Sequence, residues 1–368
     1  MKLILSEREL AKLFAMLLLA GALFGITGLF GMLIMQWVTR QRFAKDKTNK
    51  HGISQADASR LGGVVITFLC LFFLIGKHLS GYVYADNGLF GVYWWGWFAF
   101  ISTSAVGLVE DLDNDFLSPK LRISLLAMFF GATFLIWPEI IPNNFGYMVV
   151  DSMMALPIIG WLLTVIFCIG FINAINMADG ANGLVPGIVF IVSMTYGHIL
   201  GGYLWDVIGI VTGVFLIFNV ISGRLFLGDA GAYGIGTILA LASFYAINSG
   251  FCSIEFTAVL MCYPCLEIVF SMVRRKYAGR SMFMPDNYHL HNYLHEYLKK
   301  LTRSRIAANS LTGLIIATAS SGIAFVGISM NLLNESSRLW GLVFAVQVSV
   351  YLFSYWLLTR PSKGVQQI

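Results

Sequence analysis

Charge is what this sequence has least of. Asp, Glu, Lys and Arg make up 12% of its 368 residues against 58% hydrophobic residues, a balance too apolar for a water-soluble domain of that length. Cysteine is scarce and odd in number, at five. Cys70, Cys168, Cys262 and Cys265 fall inside apolar stretches, which argues against a disulfide framework. Cys262-Tyr263-Pro264-Cys265 has the spacing of a redox pair, but its place in mid-helix reads as core packing. The sequence shows neither a soluble domain nor an internal repeat of the kind that marks many transporters, so residues 1–368 are taken as one integral membrane domain. A nucleic-acid partner is not expected.

What is there is a series of apolar runs, each able to cross a hydrocarbon core about 30 Å thick at about 1.5 Å per residue. They must be helices, because a lone strand in lipid cannot satisfy its backbone. The first, from about 10 to 38, is too long for the core of a secretory signal and reads as a permanent helix. The others are placed at 61–76, 91–109, 121–137, 158–175, 184–200, 205–222, 232–248, 254–273, 306–330 and 339–358. The expectation is therefore an all-α membrane protein, a polytopic helical bundle of about 11 transmembrane helices. If the loop after the first helix is cytoplasmic, 19 of the 24 Lys and Arg residues fall on that side. The positive-inside rule then puts the N-terminus outside, in the periplasm if the membrane is a bacterial inner one, and the C-terminus in the cytoplasm.

Acids are costly near lipid, and here they collect in the same inner loops as the bases. Glu110-Asp111-Leu112-Asp113-Asn114-Asp115 follows the third span, with Lys120 and Arg122 beyond it. Asn173, Asn176, Asp179-Gly180 and Asn182-Gly183 follow the fifth. Phe226-Leu227-Gly228-Asp229-Ala230-Gly231 follows the seventh. The ninth carries Glu267 and runs into Arg274, Arg275 and Arg280, then Pro285-Asp286-Asn287-Tyr288-His289-Leu290-His291. Singly each has a plainer reading. The Asp-Gly pairs suit turns, Glu267 suits a snorkelling residue or a partner for an arginine, and His291 and His295 share a helix face as zinc ligands do. The plain readings leave the coincidence of all the clusters on one face unexplained.

Phosphoryl transfer is the chemistry that this combination suits. A hard cation such as Mg2+, with Mn2+ as a substitute, takes carboxylates from the protein and oxygens from a diphosphate, and guanidinium groups neutralise the rest. Glycines beside the acids let backbone amides approach phosphate oxygens.

These residues resemble the polyprenyl-phosphate N-acetylhexosamine-1-phosphate transferases. Arg60-Leu61-Gly62-Gly63 is similar to that family's Arg-x-Gly-Gly, Glu110-Asp111 to its Asp pair, Asn173 to Gly183 to its Asn- and Asp-Gly-rich loop, Phe226 to Gly231 to its Phe-x-Gly-Asp-x-Gly, and Gly279 to His291 to its Gly-Arg…Pro-Asp-x-x-His-x-His ending. The resemblance implies that Asp229 is the principal Mg2+ ligand with Asp111 beside it, near the lipid phosphate. It implies that Phe226 stacks on uracil, that Asn173, Asn176, Asp179 and Asn182 hold the nucleoside, and that Arg60, Arg280 and Asp286 bind substrate with His289 and His291 at the diphosphate. Glu110 and Asn182 stand where the family has Asp. The implied reaction moves a sugar 1-phosphate from a UDP-N-acetylhexosamine, UDP-GlcNAc foremost, to undecaprenyl phosphate, starting a lipid-linked surface glycan. The spaced His289 and His291 favour this over the muramoyl-pentapeptide substrate of the lipid I enzyme, whose ending has consecutive histidines. A transporter or flippase is the reading from another class, and it expects charges buried at mid-membrane, where only Glu267 qualifies. The oligomeric state is left open, a homodimer among the options.

Overall fold

A computed structural model describes residues 6–41, 44–45, 58–79, 94–113, 116–282 and 286–360. Among them the chain is helical, with only isolated bridges in place of strands. In chain order the α-helices are α1 Glu7–Val38, α2 Gly62–Leu79, α3 Trp94–Leu112, α4 Pro119–Ile136, α5 Met148–Met154, α6 Pro157–Ala178, α7 Leu184–Leu200 and α8 Tyr203–Ser222. They continue with α9 Gly228–Asn248, α10 Ile254–Leu260, α11 Cys262–Tyr277, α12 Leu290–Leu301, α13 Arg305–Ala317, α14 Ile323–Ser329 and α15 Trp340–Thr359. Asn114, Asp115 and Pro285, named among the inner motifs, lie outside the described residues.

Local chemistry sets several of the ends. Ser6 caps α1 in a reciprocal box, its hydroxyl accepting the Glu9 N–H while the Glu9 carboxylate accepts the Ser6 N–H. Ser118 accepts the Leu121 N–H and Pro119 opens α4, a position where its missing donor costs nothing.

Each of the eleven expected segments contains a helix. Seven helices among the described residues are long and apolar enough to cross a membrane, eight if the bent pair α10–α11 is one span, while 62–76 and 184–200 are apolar but shorter. The chain is thus a multi-pass helical membrane protein. Two short helices, α5 and α12, fall outside the expected set.

The segment expected as one helix over 254–273 is instead broken at Met261, where α10 and α11 meet at 82°. Pro264, in the first turn of α11, has no N–H to carry the ladder across. A turn of π-helix at Thr318–Gly322 takes up the freed groups. Ser320 Oγ accepts the Tyr263 N–H at 3.0 Å, and Ser321 Oγ donates to the Leu260 carbonyl at 2.7 Å. At bilayer depth such partners are obligatory.

Helix α9 is the hub. Its apolar window is 94% buried, and α3 packs along it more extensively than any other pair of elements. Gly231, Ala232, Gly234 and Gly236 give it a thin flank, which lets neighbouring backbones approach closely, as membrane helices require. Thr103 of α3 and Thr237 of α9 add a hydrogen bond of 2.9 Å across that seam. A helix so enclosed holds its first turn in a fixed place, and that turn carries Asp229.

Candidate active site

The first turn of α9 is held from outside. The Asp111 carboxylate, at the end of α3, accepts the Asp229 N–H on Oδ1 at 3.0 Å and the Ala230 N–H on Oδ2 at 2.8 Å. Leu227, the residue in the capping position, offers no side-chain bond, so Asp111 supplies from another helix what an N-cap supplies locally. Arg60 Nε lies 3.8 Å from Asp111 Oδ1, and Arg122 Nη1 lies 3.8 Å from Asp229 Oδ2. Both acids are buried, so the two guanidinium groups compensate charge that water does not reach. Glu110, adjacent on α3, is buried with them.

The loop before α2 and the loop before α9 form a short parallel pairing. Ser59 N–H donates to Arg224 O, Phe226 N–H to Ser59 O, Gly62 N–H to Phe226 O and Gly63 N–H to Leu227 O, at 2.7 to 2.9 Å. This is why glycines stand there. A Cβ on Gly62 would lie 2.2 Å from the Phe226 carbonyl oxygen, and one on Gly63 would lie 2.0 Å from the Gly231 nitrogen. Phe226, whose backbone makes two of these bonds, is half-buried.

The loop after α6 closes a third side. Asn176 is hydrogen-bonded to the Asp229 side chain. Asp179, half-buried, is held well above the usual carboxylate range by burial and by the charges of Asp111 and Asp229, and the Gly228 N–H partly offsets them. The charge of Asp229 also raises Asp111, so the three carboxylates stand near one another. Asn173 and Asn182 face their own helix and loop more than the pocket. Asn173 Nδ2 donates to Ile169 O at 2.7 Å, and Asn182 is buried with its N–H on Asn309 Oδ1 at 3.1 Å.

The histidines form the fourth side. His291 Nδ1 lies 2.8 Å from the Tyr263 hydroxyl. Burial pushes its imidazole down to about 4, so it is neutral near pH 7. The other ring nitrogen, Nε2, is turned to Gly180, where a Cβ would meet it at 2.1 Å. A neutral imidazole thereby faces the residue next to Asp179. His289 stacks on His291 with ring centroids 5.2 Å apart, and its Nδ1 lies 2.9 Å from Glu267 Oε1.

Glu267 therefore neither snorkels nor pairs with an arginine. Fully buried, it also accepts the Leu290 N–H at 3.2 Å and the Tyr351 hydroxyl at 3.0 Å. Asp286 is clamped by Arg274 Nη2 at 2.7 and 2.9 Å and by Arg275 Nε at 2.8 Å. Burial raises its pKa, but these bonds win and hold the carboxyl well below its usual range. Arg280 stands exposed just beyond α11.

The acid-bearing core of this arrangement has relatives. Residues 93–247 match the sequence profile of glycosyl transferase family 4. The undecaprenyl-phosphate alpha-N-acetylglucosaminyl 1-phosphate transferase of Thermotoga maritima is 30% identical over 203 residues, which are 55% of this chain and 61% of that protein. The decaprenyl-phosphate N-acetylglucosaminephosphotransferase of Mycobacterium leprae is 30% identical over 195 residues, covering 45% of this chain and 48% of that one. Over residues 93–247 the chain is similar to glycosyl transferase family 4. It spans about half to three fifths of the length of these two relatives. A phospho-N-acetylmuramoyl-pentapeptide-transferase of Petrotoga mobilis is more distant, at 24% identity, over a longer stretch of 77% of this chain and 91% of that protein. The family 4 segment takes in Glu110, Asp111, Asn173 to Asn182, Phe226 and Asp229, while Arg60 and the histidines lie outside it.

Two residues of this site carry no motif. Asn219 of α8 accepts the Gly183 N–H at 2.6 Å and donates to Leu225 O at 2.8 Å, tying the loop after α6 to the loop before α9. Its only signal is an amide inside an apolar span, a place where polar side chains seldom sit idle. Tyr263 was visible as part of the cysteine pair, but its bond to His291 depends on the break at Met261.

Proposed function

We propose that this protein is a family 4 glycosyl transferase that transfers a sugar 1-phosphate from a UDP-sugar to a polyprenyl phosphate and releases UMP. N-acetylglucosamine 1-phosphate is the favoured donor group and undecaprenyl phosphate the favoured acceptor, by likeness to the named relatives. The observation that carries the reading is Asp111 holding the first turn of α9 so that Asp229 meets Asp179 and Asn176.

Hard oxygen donors set beside arginines fit Mg2+. Among the described residues no three acidic, His or Cys side chains form a closed metal cage. An Mg2+ site needs none, since it takes one or two carboxylates and completes its shell with water and substrate phosphates. Asp229 would be the principal ligand, with Asp111 and Asp179 beside it, and the ion would neutralise charge on the diphosphate. The chain's own groups do the rest. Arg60 and Arg122 offset the charge that gathers at the reacting phosphorus. The His291 ring, with Nε2 turned to Gly180, stands at the edge of the acid cluster, and the half-buried Phe226, three residues before Asp229, would supply a ring to the base. A lipid phosphate monoester is mostly dianionic at neutral pH, so placement and neutralisation carry more of the barrier than a general base does. Asp111, engaged by two amides, serves as the support that aims Asp229 and orients the acceptor.

By the distribution of Lys and Arg, this face is cytoplasmic. The test is release of UMP by the purified protein in detergent, given undecaprenyl phosphate, Mg2+ and a panel of UDP-sugars. UMP with UDP-GlcNAc supports the reading. UMP only with the muramoyl-pentapeptide nucleotide moves the donor, and no UMP with any sugar removes the reaction.

A further inference from the structure

Helices α13 and α15 do not close on each other. Helix α15 is held by α10 toward one end and by α11 and α12 toward the other. The gap is a groove of about 890 Å3, within the usual range of a small-molecule site. Its walls are apolar, with Leu290 and Leu294 of α12, Ile316 of α13, Ile323 of α14 and Val350 of α15 among them. Along α15 it runs from Val346 to Arg360, about 20 Å at 1.5 Å per residue.

An apolar slot at membrane depth takes hydrocarbon, because water gains no partners on such walls. The mouth adds a preference of charge. Lys300 and Arg360 line it and are exposed. The acid there, Glu296, is already paired with Lys299 at 3.0 Å, so it leaves the cationic balance in place. Chain in the groove and cations at the mouth describe a lipid with an anionic head.

We infer that the groove between α12, α13 and α15 binds a non-reacting anionic phospholipid, its chains against Ile316, Ile323 and Val350 and its head at Lys300 and Arg360. The acceptor lipid of the proposed reaction is a poorer fit. Tyr263 lines the groove and bonds His291, which abuts Gly180 beside Asp179. Lys300 stands nine residues beyond His291 along α12, about 14 Å at 1.5 Å per residue, so a phosphate held there is remote from the imidazole that abuts Gly180. Tyr263 couples the two places, since a chain pressing on it steadies that imidazole. The inference uses the membrane reading of the fold and not the reaction, so either can fail alone.

The experiment uses the full chain, delipidated in neutral detergent, with phosphatidylglycerol and phosphatidylcholine as probes, read by native mass spectrometry and by the thermal midpoint. Expected are one retained phosphatidylglycerol per chain, a raised midpoint with that lipid, and neither effect with phosphatidylcholine. The double variant Lys300→Ala with Arg360→Ala, at two exposed positions, weakens phosphatidylglycerol binding about tenfold or more. Ala319→Trp, which fills the groove from its wall, abolishes retention of the lipid. Equal binding of both lipids, or phosphatidylglycerol binding untouched by the charge variant, overturns the proposal. So does displacement of the bound lipid by stoichiometric undecaprenyl phosphate, which would make the groove an acceptor site.

Discussion

Asp111 caps a helix it does not belong to. Its carboxylate takes the N–H groups of Asp229 and Ala230, at 3.0 and 2.8 Å, so that the end of α3 and the start of α9 are one unit. The acid that supports the turn and the acid that the turn presents therefore have different work, although both lie buried in the same pocket.

That division separates two variants. Asp111→Asn keeps one acceptor and turns a donor toward a donor, so it should lower stability by about 1–3 kcal/mol and also slow turnover. Asp229→Ala removes a buried charge among like charges and should leave the thermal midpoint unchanged or raised while turnover is lost. Thermal unfolding in detergent beside UMP release checks both, and equal destabilisation by the two variants would deny the distinction.

The pairing of 59–63 with 224–227 makes a second contrast. Gly63→Ala forces a methyl to within 2.0 Å of the Gly231 nitrogen, whereas Gly76→Ala meets nothing within 4 Å. The first should cost about 3 kcal/mol or more and abolish activity, and the second should leave both near normal. Circular dichroism melts of the two purified variants are the measurement.

Acid should weaken the fold through His291. Its folded value is pushed down to about 4, against 6.5 for an ordinary histidine. Between those values the unfolded chain binds the proton and the folded chain does not, so stability falls as pH drops from 6.5 toward 4. The full loss is about 3 kcal/mol. In His291→Gln the slope of midpoint against pH over that window should flatten.

Glu267 holds His289, Tyr351 and the Leu290 N–H at once. Glu267→Gln keeps the shape but turns a donor on partners that are themselves donors. It should destabilise by about 1–3 kcal/mol and lower kcat through the displaced histidine pair more than it raises KM for the UDP-sugar. The histidine ring signals by NMR in detergent should show the His289 resonances displaced.

Much of the site was legible because its chemistry is local. The acids of Asp111, Asp179 and Asp229 and the glycines of 62–63 and 228 carry spacing that no apolar span needs, and the structure brings those loops together. The helices were legible as apolar runs, which lipid demands. The break at Met261 was hidden because its partners, Ser320 and Ser321, lie about sixty residues away. Asn219 was hidden because an amide in a span carries no periodicity. Helix α12 was legible only as the shared face of His291 and His295, since its run of His, Asn, Tyr and Lys is too polar for a span, and its packing against α15 carries no local signal.

The most direct test is Mn2+ binding in place of Mg2+, followed by electron paramagnetic resonance, with the protein in detergent and UDP-GlcNAc present. The account predicts one nucleotide-dependent Mn2+ per chain, lost in Asp229→Asn and weakened in Asp179→Asn. Unchanged stoichiometry and affinity in Asp229→Asn would contradict it.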